Sequence, residues 1–145
     1  MEDQNVKVLD EVNKGTTMGM DAIKYVSGKV GDPTFQKVLD VEYGKYQKIA
    51  QRVDEIYSQY TTEKEPQETN KMEKMMTWYG INMRTINDQR NSKISELLMQ
   101  GTNMGIIEGR RLINNNPSVD QEIMQILNDF VVMQEDSVET LKKYL

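Results

Sequence analysis

The stretch Gly101-Thr102-Asn103-Met104-Gly105 occurs a second time in almost the same form, as Gly15-Thr16-Thr17-Met18-Gly19. Each copy lies in a segment whose apolar residues recur every three to four positions, which is typical of an amphipathic helix. Each segment is followed by a short break that contains a proline, and then by a second amphipathic segment. The chain therefore predicts two helical hairpins, each with a Gly-x-x-x-Gly pattern in its first helix.

The two hairpins occupy about residues 3–60 and about residues 91–145. In the first, helices are predicted over about 3–30 and 32–60, separated by Gly31-Asp32-Pro33. Glycine suits the left-handed position after a helix, aspartate can cap the next helix, and proline fits its first turn. In the second, a helix over about 92–114, capped by Asn91 or Ser92, precedes a break at 114–118 and a final helix.

The two hairpins also match in their second helices. Shifted by 88 positions, the apolar stripe of the last helix overlays that of the second helix, with Phe130 at the position of Glu42 and Gln134 at that of Tyr46. Two related hairpins joined by a long crossover indicate one domain, residues 1–145, that folds as an all-α four-helix bundle with an internal repeat.

The crossover spans about residues 61–90. Residues 61–68 contain no apolar side chain and predict a solvated loop. Residues 72–79 then suggest a short helix, which weakens around Gly80, and we expect residues 81–86 to be irregular or extended. This segment contains four methionines, Met72, Met75, Met76 and Met83. They permit three interpretations: core packing with Trp78 and Tyr79 as anchors, thioether binding of Cu(I), or an exposed partner surface.

The glycines inside the first and third helices require a reason, since each costs roughly 1 kcal/mol relative to alanine. Glycines on one helix face allow a neighbouring helix or a large side chain to approach the backbone closely. The first interpretation is close packing of the first helix against the third. The second is that the gap beside the glycines holds a ligand.

Composition excludes several classes of function. The formal net charge of −5 argues against nucleic-acid binding, which needs clustered Lys and Arg. The chain has no cysteine and no histidine, which removes thiolate chemistry, the commonest metal ligand and the commonest general base near neutral pH. No signal peptide and no membrane span is evident, so we expect a cytoplasmic protein.

The predicted architecture, two hairpins with one long crossover, resembles the ferritin-like superfamily. More specifically, residues 95–107 and the ending 135–145 resemble small uncharacterised proteins of Gram-positive anaerobes such as clostridia, and that likeness implies no activity. Di-iron members of the ferritin-like group supply Glu from two helices and Glu-x-x-His from the other two. The nearest counterparts here are Glu42-Tyr43-Gly44-Lys45 and Glu135-Asp136-Ser137-Val138, in which Lys45 and Val138 replace the histidine.

The remaining ligand positions also depart from that pattern. Glu108 is available on the third helix, but its first-helix equivalent is Ala22, beside the short Asp21. We therefore expect no di-iron centre, and we assign no catalytic residue, cofactor or metal ligand. Glu42 nevertheless interrupts an apolar stripe, so it either pairs with Arg110, Arg111 or a tyrosine hydroxyl, or contributes with Glu108 to an all-carboxylate Mg²⁺ or Mn²⁺ site.

These observations favour a non-enzymatic structural or protein-interaction bundle, which we expect to be a homodimer through its Met-rich or crossover surface. The alternative is a metal- or small-ligand-binding bundle that uses core carboxylates, for which Glu42, Glu108 and Glu135 are the candidates.

Overall fold

The computed structural model describes residues 3–62, 77 and 79–145, and in these ranges the chain forms helices joined by turns and loops, with no strand. Four long helices carry the fold: α1 (Gln4–Ser27), α2 (Pro33–Tyr57), α3 (Asn91–Asn115) and α4 (Gln121–Lys142). Residues 79–84 form a further helical stretch. The all-α prediction is confirmed. The predicted ends of the first two helices, Val30 and Tyr60, lie beyond the observed ends because the apolar stripe continues past the last helical turn.

The predicted helix caps agree with the structure in the first hairpin but not in the second. Asp32 Oδ1 accepts a hydrogen bond of 2.9 Å from the Thr34 backbone N–H, and Pro33 occupies the first turn, as predicted. The predicted cap of α3 is wrong, because Arg90 precedes the helix and no side chain caps it. The left-handed conformation expected for Gly31 is also wrong, since no glycine in the described ranges has a positive φ.

Contacts between the helices show how they run. In three helix pairs, residue numbers rise along one helix as they fall along its neighbour. The contacts that show this are Asp10–Tyr57 and Gly19–Tyr46 for α1–α2, and Gly105–Gln134 and Gly109–Val131 for α3–α4. For α2–α4 they are Tyr46–Phe130 and Phe35–Tyr144, where Tyr144 lies just after the end of α4. Each of these pairs is therefore antiparallel. Helices α2 and α3 consequently run in the same direction, although they follow each other in the chain.

Hydrogen bonds between helix ends agree with these directions. Asn91 Nδ2, at the start of α3, donates to Asp32 Oδ2, at the start of α2, over 2.8 Å. At the opposite end, the Asp120 backbone N–H, just before α4, donates to Asn5 Oδ1 in the first turn of α1 over 2.9 Å. The end of α2 and the start of α3 therefore lie at opposite ends of the helices.

A continuous apolar core lies between the four helices, and its largest fully buried side chains are Phe35, Phe130, Leu9, Leu39, Ile94, Ile123 and Leu127. None of the helices in the described ranges has the length of apolar sequence that crossing a bilayer requires.

The irregular conformation expected for residues 81–86 is wrong over most of that stretch. The Thr85 backbone N–H donates to the Ile81 carbonyl, four residues earlier, so helical bonding extends to this point. Tyr79 and Met83, one turn apart, are 7% and 4% exposed, which confirms for these two residues the prediction of core packing. The predictions for Met72, Met75, Met76, Trp78 and the loop from residue 63 lie outside the described residues.

Candidate functional site

Glu42, the carboxylate that interrupts the stripe of α2, lies inside the protein. It is 3% exposed, and Lys45 Nζ lies 2.8 Å from its Oε2. The two residues are three positions apart in α2, so their side chains leave the same helix face. The predicted partners Arg110 and Arg111 are wrong for Glu42. Lys45, which occupies the place of a di-iron histidine in the Glu-x-x-His pattern, neutralises the carboxylate instead.

The other two candidate carboxylates pair with different cations. Glu135 Oε1 accepts a hydrogen bond of 2.8 Å from Arg110 across the α3–α4 pair, and Glu108 pairs with Arg111 one turn away in α3. Each of the three glutamates thus has its own basic partner. Among the described residues, no group of three or more acidic side chains is placed to hold a metal ion.

The glycine patches accommodate large side chains from neighbouring elements. An added Cβ would lie 2.5 Å from the Tyr46 ring at Gly19, and 1.6 Å from Tyr79 Cζ at Gly101. Since real Cβ contacts are ordinarily 3.4 Å or longer, both rings lie in space that only glycine leaves free.

Two further glycines in α3 contact side chains of α4. An added Cβ would lie 2.1 Å from Gln134 Oε1 at Gly105, and 2.5 Å from Val131 Cγ2 at Gly109. These glycines therefore admit side chains of the partner helix in the same hairpin, rather than bringing the backbones of α1 and α3 together as the sequence suggested.

Hydroxyl groups gather where the two tyrosine rings meet α3. The Tyr79 hydroxyl donates to the Leu98 carbonyl over 3.0 Å, and Thr102 Oγ1 donates to the same carbonyl over 2.7 Å. On α4, Ser137 Oγ donates to the Met133 carbonyl over 3.0 Å. These hydroxyls therefore satisfy backbone carbonyls of α3 and α4, which is a structural use of their single protons.

Burial keeps both tyrosines in their neutral form. It raises the pKa of Tyr46 to about 12, an effect that the neighbouring Thr102 side chain opposes and the Glu42 carboxylate reinforces. Burial likewise raises the pKa of Tyr79 far above its ordinary value, with a further contribution from Tyr46. Near neutral pH these phenols can donate hydrogen bonds, but they cannot act as bases or nucleophiles.

A cavity of about 20 Å³ lies beside Glu42, with Tyr46, Tyr79, Thr102 and Ser137 in its wall. That volume suffices for one water molecule and is too small for an organic substrate. Four buried side-chain atoms have no hydrogen-bond partner among the described residues; they are the two carboxylate oxygens of Glu42, Ser95 Oγ and Gln134 Nε2. We call Glu42, Tyr46, Tyr79, Thr102 and Ser137 the polar centre. A single water bound there would give the Glu42 carboxylate its hydrogen bond.

No family model matches this sequence, and no curated protein is significantly similar to it. What the chain does must therefore be argued from its own fold and side chains.

Sequence reasoning located only part of the polar centre. Glu42 was identified because it breaks an apolar stripe, but Tyr79, Thr102 and Ser137 were not assigned to it. The repeated motif gave a signal for Thr102, because Thr102 and Thr16 each follow the first glycine of their copy. Both threonines are buried in the structure. No signal in the sequence points to Ser137.

Proposed function

We propose that the chain is a ferritin-like four-helix bundle, made of two pseudo-repeated hairpins, that lacks a di-iron centre. The helix directions support this fold, because two antiparallel hairpins whose middle helices run in parallel need one long crossover, as ferritin-like bundles have. The repeat is supported by two corresponding contacts, Gly19 with Tyr46 and Gly105 with Gln134.

The same proposal assigns the protein a non-enzymatic, structural or protein-interaction role in the cytoplasm. The observation that carries it is the small volume of the polar centre, whose cavity of about 20 Å³ admits one water and no substrate. The Tyr79, Thr102 and Ser137 hydroxyls bond to backbone carbonyls, and Glu42 is paired with Lys45. The polar atoms of these groups therefore bond within the core.

For the interaction we propose a homodimer through the crossover side of the molecule. Two large apolar side chains there are exposed to solvent, Tyr25 at 43% and Ile81 at 55%. Tyr25 lines an open cavity together with Gly80, the neighbour of Ile81, so both lie on the same side. Aromatic and aliphatic side chains of this kind form the centres of many interfaces.

Light scattering on the purified protein tests this role. We expect a mass of twice 16.8 kDa for the unchanged protein and a substantial monomer fraction for Ile81→Glu, because an interface does not readily bury an unpaired charge. Val132→Glu is the matched control, since Val132 is similarly exposed but lies on α4. A monomeric mass of the unchanged protein would refute the homodimer.

A second candidate function is metal or small-ligand binding that uses carboxylates of the bundle core. The observation in its favour is Glu42, whose buried carboxylate forms an ion pair with Lys45 but accepts no hydrogen bond of good geometry. Titration with Mn²⁺, followed by the thermal unfolding temperature, tests it. A saturable rise that Glu42→Gln removes and that the surface control Glu139→Gln retains would support this candidate, whereas no rise would contradict it.

A further inference from the structure

A second, larger cavity of about 310 Å³ opens between α1 and residues 79–84. Its buried wall is apolar, because Met18, Ala22, Tyr79 and Met83 contribute to it and each is at most 7% exposed. The partly exposed Tyr25 ring completes the apolar lining. A cavity of about 150 Å³ is enough to bind benzene, so this one has room for an aromatic ring with a short side chain.

A guanidinium group is held at this cavity. Arg84 Nε donates to the Gly80 carbonyl over 3.2 Å, and one terminal nitrogen of Arg84 lies 3.4 Å from the point where a Cβ of Gly80 would stand. Both residues line the cavity. Within the part of the chain that the structure describes, Arg84 forms no ion pair, so its terminal N–H groups remain available to a ligand.

The charges around the cavity favour an anionic ligand. Arg84 and Asp21 are the charged residues of the described lining. Lys29 lies outside the lining, but its Nζ is 5.0 Å from the centre of the Tyr25 ring, so two cations and one carboxylate lie at or beside the cavity. Arginine can give two parallel N–H bonds to a carboxylate, which fixes its orientation as well as its charge. Asp21 disfavours ligands with a second negative charge.

We propose that this cavity binds a small aromatic monocarboxylate, with the ring against Met18, Tyr79 and Met83 and the carboxylate on Arg84. Methionine sulfur and tyrosine rings both make favourable contacts with an aromatic ring. The site is separate from the core carboxylates and goes beyond the proposed interaction role.

Isothermal titration calorimetry of the full chain with three probes tests the site. The probes are phenylacetate, its neutral analogue benzyl alcohol, and the cation phenethylamine. We expect phenylacetate to bind about tenfold more tightly than benzyl alcohol, which corresponds to one charge-assisted hydrogen bond. Arg84→Gln should remove this preference, while leaving the binding of benzyl alcohol unchanged. Arg110→Gln is the matched control, because Arg110 pairs with Glu135 on the α3–α4 surface.

Two outcomes would overturn the site: the absence of binding by any probe, or equal or weaker binding of phenylacetate relative to the other two. Retention of the preference in Arg84→Gln would overturn the role of that residue. The mass measurement tests the homodimer separately, although Tyr25 belongs to both the proposed interface and the cavity lining. A dimeric protein that binds no probe contradicts the site alone, whereas a monomeric protein that binds phenylacetate contradicts the homodimer alone.

Discussion

The glycines of α2 and α3 predict opposite effects of the same substitution. Gly101→Ala is expected to destabilise the protein, because the added Cβ would lie 1.6 Å from Tyr79 Cζ. Gly44→Ala is expected to stabilise it, because an added Cβ at that helical position meets nothing within 4 Å. Both changes add the same methyl group to the interior of a long helix, so the contrast isolates the contact with Tyr79.

The expected magnitudes follow from three contributions. Replacing glycine by alanine in a helix gains about 1 kcal/mol, and this is the only contribution at Gly44. At Gly101 the Tyr79 ring must move by about 1.8 Å to restore a contact of 3.4 Å, which forces repacking at a cost of about 1–3 kcal/mol. The hydrogen bond from Tyr79 to the Leu98 carbonyl, worth about 1 kcal/mol, is then lost. The net loss for Gly101→Ala is therefore about 1–3 kcal/mol.

Thermal and urea unfolding followed by circular dichroism measure both variants. A domain of this size shifts its Tm by about 2–4 °C per kcal/mol, so Gly44→Ala should raise the Tm by about 2–4 °C and Gly101→Ala should lower it by roughly 2–12 °C. In a Tyr79→Ala background the obstructing ring is absent, and Gly101→Ala should become neutral or stabilising. An increase in Tm for Gly101→Ala in the unchanged protein would refute the placement of the Tyr79 ring.

Three further predictions concern charged and phenolic groups. The hydrogen bond from Asn91 lowers the pKa of Asp32 below its ordinary value. The stability that this carboxylate contributes is therefore present above the unfolded-state pKa and is lost as the pH falls through the folded-state pKa. Asp32→Asn should weaken the decrease in Tm between pH 7 and pH 3. Burial raises the pKa of Tyr46 to about 12, so the stability that the neutral phenol contributes is present below pH 10 and lost as the pH rises from 10 through 12. Absorbance at 295 nm should show that Tyr46 ionises only at a higher pH than the exposed tyrosines. Titration of all tyrosines near pH 10 in the folded protein would contradict the burial of Tyr46. Glu42→Met should raise the free energy of unfolding in urea by about 0–2 kcal/mol, because Lys45 can turn toward solvent when its buried partner is removed. A loss above about 2 kcal/mol would mean that Glu42 makes further interactions.

The periodicity of apolar residues was sufficient to predict the helical fold. The stripes in the first and last helices, together with Asp32-Pro33, located α1, α2 and α4 because burial of one helix face dominates their stability. The cap of α3 was mispredicted because the Asn91 side chain donates instead to Asp32, at the start of a different helix. Such a contact between distant residues has no local signature in the sequence.

The candidate site was predicted less completely, for a similar reason. A carboxylate in an apolar stripe is visible from spacing alone, so Glu42 was identified. Its partner was not, because Lys45 was compared with a histidine ligand and not considered as a counter-ion. The role of the glycines depended on which side chains face them, and Tyr79 reaches Gly101 from the crossover, whose conformation local patterns did not predict.

The cavity beside Arg84 could not have been found from the sequence. Its residues come from two segments more than fifty positions apart, and each has an ordinary local explanation. Met18 and Met83 read as core residues, and Arg84 reads as a surface charge. Only their placement around a common space indicates a binding site.

In the function that we propose, the buried polar centre supports the core of a binding protein and holds no metal. Elemental analysis of the protein, purified without added ions and without chelator, measures whether a metal is bound there. We predict that no metal is present in stoichiometric amount. Stoichiometric iron, manganese or zinc that is lost in Glu42→Gln would contradict the claim and would favour the carboxylate-based alternative.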